Sequence, residues 1–104
     1  MDYLTKWGEF MQKVIVIYRV EDYNKWERFY NDSTADRKIH GSREAFIHRN
    51  KEAANELVLI YKWDSMENAK KYFESEETKN KMKDAGVIGE PIIVFVEEVE
   101  RAIA

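Results

Sequence analysis

The sequence predicts an α+β sandwich in which one antiparallel sheet of four strands carries helices on one face, in the order βαββαβ. Two observations carry this reading. Four runs rich in β-branched and aromatic residues lie at 13–20, 44–50, 56–63 and 92–99. Segments with apolar residues at helical spacing separate the first run from the second and the third from the fourth. Four strands and two helices are too few for a doubly wound sheet, and 104 residues suffice for one domain with a small core.

Each element has a local reason. Residues 13–20 (KVIVIYRV) are nearly continuous in β-branched residues, which favours a strand. Glu21 and Asp22 then place acid ahead of Tyr23, Trp26, Phe29 and Tyr30, which share one side of a helix expected over about 22–36. Gly41-Ser42 ends that helix, and residues 44–50 (EAFIHRN) form the second strand. A polar connection, KEAAN at 51–55, leads into the third strand, ELVLIYKW, completing a hairpin. Ser65 caps a helix whose inward residues are Met66, Ala69, Tyr72 and Phe73, and Ser75-Glu76-Glu77 repeats the device, so a jog is expected there. Gly89 and Pro91 read as the turn into the fourth strand at 92–99. The whole is a ferredoxin-like arrangement over 13–104. Residues 1–12, with Gly8 among Tyr3, Leu4, Trp7, Phe10 and Met11, read as a separate extension or docking segment.

Composition narrows the function. Seventeen Lys and Arg against twenty Asp and Glu leave a net charge of -3 with no basic block, which argues against nucleic acid as a partner. The absence of cysteine excludes disulfides, thiolate metal sites and a cysteine nucleophile. No apolar run approaches the ~20 residues needed to cross a bilayer, and the N-terminus lacks the order of a signal peptide, so a cytoplasmic protein without a membrane partner is expected. There is no phosphate-cradling glycine loop, no nucleophile elbow and no His and carboxylate set at metal-ligand spacing.

The strands hold the strongest clue. A sheet with one wet face should alternate apolar and polar residues. Here both parities are apolar: Val14, Val16 and Tyr18 against Ile15 and Ile17, Leu57, Leu59 and Tyr61 against Val58 and Ile60. Helices on one face leave the other bare, and a second copy of the chain is the simplest cover. A homodimer is therefore expected, its two sheets closing an α+β barrel.

The runs VEDYNKWERFYND, HGSREAFIHRN, ELVLIYKWDSMENAKKYFESEE and MKDAGVIGEPIIVFVEEVE together resemble the small dimeric α+β barrel proteins of the antibiotic-biosynthesis-monooxygenase-like superfamily, over nearly all of 13–100. The resemblance implies a ferredoxin-like protomer, a dimeric barrel, and a pocket between sheet and helices. It also implies two activities: cofactor-free monooxygenation of aromatic substrates, or haem degradation. The haem-degrading members resemble this chain at Trp63 but carry a ligating His on the second helix, where this sequence reads SEETKNKMKDAG. Haem degradation of that kind is not expected, and neither a metal nor another cofactor is called for.

Candidate site residues follow. His48 is the candidate catalytic base, because His40 and His48 are the only side chains with ordinary pKa values near neutrality and His40 sits in a loop. Trp63, Tyr61, Phe73, Asn50 and Tyr30 are candidate substrate-binding residues, able to wall a pocket for a small apolar or aromatic molecule. Trp63 has a second, structural reading, sealing the edge between sheet and helix. Two functions stay open: a cofactor-free monooxygenase, and a non-catalytic binding or accessory protein.

Overall fold

The computed structural model describes residues 12–104. The expected segment at 1–12 lies outside them except for Gln12, which opens the first strand. The chain runs β1 (Gln12–Val20), α1 (Tyr23–Asp32), α2 (Thr34–Ile39), β2 (Ser42–Asn50), β3 (Ala53–Trp63), α3 (Met66–Phe73), α4 (Glu76–Asp84) and β4 (Val87–Val96). The sheet order is β2-β3-β1-β4, antiparallel throughout. This is the ferredoxin-like α+β fold, with each expected helix split in two.

The splits have side-chain causes. Asp22 caps α1, accepting from the amides of Asn24 and Lys25. At the other end the Ser33 hydroxyl donates to the Phe29 carbonyl at 3.0 Å, and the Ser33 amide is shared between the Phe29 and Tyr30 carbonyls. A hydroxyl that competes for helix carbonyls bends or ends a helix, so the single helix expected over 22–36 becomes α1 and α2, and the helical stretch reaches Ile39. The jog expected at Ser75 is present: its hydroxyl accepts from the Thr78 amide and caps α4.

Two sequence readings are corrected. The connection between β2 and β3 is a tight turn, with Asn50 paired to Ala53 and its side-chain oxygen accepting from the Glu52 amide. Gly89 and Pro91 lie inside β4, which begins at Val87 and ends at Val96. Opposite Tyr18 the register jumps from Ile17↔Ile92 to Arg19↔Ile88, so Gly89, Glu90 and Pro91 form a bulge. Gly89 supplies a φ of 72°, and an edge strand tolerates a proline that cannot donate to a ladder.

Register assigns the two faces. Val14, Val16, Tyr18 and Val20 share the helix side with Leu57, Leu59, Tyr61 and Trp63, and all eight are buried. Trp26, Ala69, Tyr72 and Phe73 close on them from the helices. The other face carries Ile15, Ile17, Phe46, Val58, Ile60, Ile92 and Val94, aligned across all four strands. Among the described residues no element covers it, and Phe46, Ile92 and Val94 are 41%, 56% and 43% exposed.

Candidate functional site

A cleft opens between the two helical pairs on the covered face of the sheet. Tyr18 and Tyr61 form its floor, Trp26, Tyr30 and Arg37 one wall, and Tyr72, Phe73 and Met82 the other, with Lys81 and Thr78 at the rim. Its free volume is about 60 Å³. A wider groove of about 310 Å³ runs between α4 and the β4 bulge, but it is lined by Glu76, Lys79, Lys83 and Glu90 at the surface and gathers no ring.

The aromatic side chains interlock. Trp26 stacks on Tyr30 at 4.8 Å, and its indole N–H donates to the Tyr18 hydroxyl at 2.9 Å. Across the cleft, Phe73 meets Tyr61 at 5.4 Å and Trp63 at 5.2 Å. The Tyr30 hydroxyl is buried and makes no well-formed hydrogen bond among the described residues, although it lies close enough to the Tyr61 phenol to raise it. An unsatisfied buried hydroxyl costs roughly 1–3 kcal/mol, so such a group calls for a partner such as a water or a ligand.

Arg37 is the charged member. It is 7% exposed, its guanidinium lies 3.6 Å over the Tyr30 ring, and it donates to the Tyr30 carbonyl at 3.0 Å and to Thr34 Oγ1 at 3.2 Å. No carboxylate of the described residues pairs with it. Asp36 turns instead to Lys81, and that ion pair ties α2 to α4 beside the cleft.

Ionisation follows from these positions. Burial pushes the Tyr18 and Tyr61 phenols far above their ordinary value, and the Tyr30 phenol nearby adds to it for both. Burial also raises Tyr72. The Lys81 hydrogen bond holds the Asp36 carboxyl below the usual range, and Asp36 in turn raises Lys81. At neutral pH the cleft therefore presents neutral phenols and a guanidinium.

The candidate residues divide. Tyr61, Phe73 and Tyr30 line the cleft together. Trp63 is fully buried and its indole N–H donates to the His40 carbonyl at 2.9 Å, so its donor is already engaged and it takes the structural reading. Asn50 stands at the β2–β3 turn, its amide on Glu56 at 2.8 Å. His48 pairs with Val58 on the bare face, where its Nδ1 lies 3.3 Å from the Val58 carbonyl, on the far side of the sheet from the cleft. The sequence left open which face His48 takes: strand alternation sends Ala45, Ile47 and Arg49 to the helix side and Phe46 and His48 away. Tyr18 and Tyr72, whose hydroxyls the sequence offers to a cavity without assigning them a site, also line it, and Arg37 was missed. For Arg37 the available signal was its position seven residues after Tyr30, two helical turns along the face that already held Trp26.

Neither a protein-family model nor a curated protein matches the sequence. Solved structures do. A protein from Caulobacter crescentus named as an antibiotic biosynthesis monooxygenase superposes with a TM-score of 0.68 at 18% identity, covering 96% of this chain and 100% of its own. SnoaB, a cofactor-independent oxygenase from Streptomyces nogalater, gives 0.64 at 12% identity over 86% of this chain and 96% of its own. A dimeric ferredoxin-like protein from an uncultured marine organism gives 0.60 at 16% identity over 97% and 98%. Among the described residues no helix is long and apolar enough to cross a membrane. The chain has the ferredoxin-like fold of these monooxygenase-type structures.

Proposed function

We propose that this protein is a homodimeric, monooxygenase-like protein that binds a small aromatic molecule in the helix-side cleft. The single observation that carries this is the cleft itself, where aromatic walls converge on a buried hydroxyl that no described residue engages in a well-formed hydrogen bond. Support for a second copy comes from the bare apolar face, and from a dimeric neighbour of the same fold. The neighbour named as a cofactor-independent oxygenase supports the oxygenase reading, in which the bound aromatic, as its anion, would itself be the reductant of O2.

The cleft's ionisation shapes that chemistry. With Tyr18, Tyr61 and Tyr72 held protonated and His48 on the other face, the aromatic has to enter already ionised, or as a molecule acidic enough to ionise at neutral pH. The same observation favours a second reading, a non-catalytic binding protein, because no described cleft residue is an effective base near pH 7. Oxygen uptake with hydroxylated aromatics separates the two. Uptake that depends on the aromatic and survives His48→Ala supports the oxygenase; binding without uptake supports the carrier. A protein that binds no aromatic molecule and carries none on purification, by mass spectrometry after denaturation, would overturn both.

A further inference from the structure

We propose that the cleft is selective for a single-ring aromatic anion, its charged oxygen held by the Arg37 guanidinium with the Tyr30 hydroxyl as second donor. This rests on the cleft being the ligand site, and adds which ligands it takes.

Charge is the first argument. A buried cation is normally paired, because removing it from water is costly. Arg37 has no carboxylate among the described residues, and the only anion beside it in sequence, Asp36, is committed to Lys81. The Tyr30 carbonyl and Thr34 hydroxyl occupy two of the five guanidinium N–H groups, and both are neutral acceptors. Donors and charge therefore remain for a ligand. Tyr30 links the guanidinium to the cleft: Arg37 covers the ring face, and the hydroxyl that ends the same ring makes no well-formed hydrogen bond among the described residues. A carboxylate or phenolate can accept from the hydroxyl and offset the guanidinium together.

Size is the second. One water needs roughly 10–15 Å³ of such free volume, so the cleft holds about four or five waters, on the scale of one ring. A fused-ring system requires the helices to part, against the ion pair between Asp36 and Lys81.

Benzoate and benzamide test this, since they share shape and differ in charge. NMR titration of the full chain can follow the Trp26 indole N–H, which lies in the cleft wall. Benzoate is expected to bind at least about tenfold more tightly than benzamide, as charge-assisted hydrogen bonds outweigh neutral ones. Arg37→Gln should abolish the preference and leave benzamide within about twofold. Tyr30→Phe removes a hydroxyl that makes no well-formed hydrogen bond among the described residues, so it serves as the variant that folds even where Arg37→Gln does not. It should weaken benzoate by about tenfold. Equal affinities in the wild type, or a preference that persists in Arg37→Gln, would overturn the proposal while leaving the cleft as an aromatic site. Failure of both probes to move the Trp26 signal at millimolar concentration would overturn the cleft reading as well.

Discussion

At the scale of single residues, two of the phenols that contact Trp26, Tyr18 and Tyr30, differ in one respect that stability measurements can read. Tyr18 accepts the Trp26 indole N–H, so Tyr18→Phe strands a buried donor and should cost roughly 1–3 kcal/mol. The Tyr30 hydroxyl makes no well-formed hydrogen bond among the described residues, so Tyr30→Phe should lie within about 0.5 kcal/mol of wild type or be more stable. Urea denaturation of both variants decides it, and equal losses would mean that the Tyr30 hydroxyl is satisfied in solution. Gly41 makes a different demand. Its φ is 118°, and a Cβ there would sit 2.4 Å from Asp64 Oδ1 and 2.7 Å from Trp63 Nε1. Asp64 has some freedom, although it holds Arg43 and Asn68, but Trp63 is fully buried with its N–H fixed on the neighbouring His40 carbonyl. Gly41→Ala should therefore destabilise by about 2 kcal/mol or more, read as a lower urea midpoint with unchanged slope. The large indole at the end of β3 is there to clasp the α2–β2 corner.

At the scale of elements, the cleft is bounded by four short helices, and α2 and α4 meet through Asp36 and Lys81. The folded Asp36 has a lowered pKa, so its contribution is present above the ordinary carboxylate range and is lost as pH falls through the folded value. Lys81 is raised, so its share is present below the ordinary lysine value of 10.5 and is lost as pH rises through the folded one. Stability from this pair should plateau between those limits, and Asp36→Asn should flatten the acid limb of a denaturation series against pH. The side chains are about one-third exposed, so added salt should weaken the effect. What the sequence made legible at this scale followed from strong local signals: strand runs of β-branched residues, and the Ser75 cap that divides α3 from α4. Ser33 was not legible as a break, because its effect depends on a hydroxyl choosing the Phe29 carbonyl over water. Gly89 and Pro91 read as a turn because their bulge is defined only by the partner strand. The face of His48 was left open for a similar reason. With both parities of the sheet apolar, only tertiary packing decides which one faces the helices. Arg37 was passed over because an arginine in an amphipathic segment normally marks the solvated side.

At the scale of the whole molecule, the sandwich is complete on one face only. Ile15, Ile17, Phe46, Val58, Ile60, Ile92 and Val94 form a continuous apolar surface across the sheet, larger than the scattered single residues of an ordinary surface. If such a face buries roughly 800 Å² per protomer, the area of a standard interface, its apolar part contributes on the order of ten kcal/mol before association costs. Charged residues stand around it: Lys62 pairs with Glu44 at 3.3 Å, and Arg19 lies 3.8 Å from Glu56. An apolar centre with a polar rim is the anatomy of a subunit interface. A charge at its centre would have to be buried unpaired in a dimer but would be solvated in a monomer. Ile60→Lys should thus give a folded monomer in sedimentation at micromolar concentration, where the wild type sediments as a dimer. His48→Ala, nearer one edge of the sheet, should leave the cleft's affinity for benzoate unchanged. Wild-type protein that sediments as a monomer would leave the apolar face without its proposed cover. A dimer that persists in Ile60→Lys would place the contact elsewhere. In either case the cleft, which one chain builds alone, would keep its ligand.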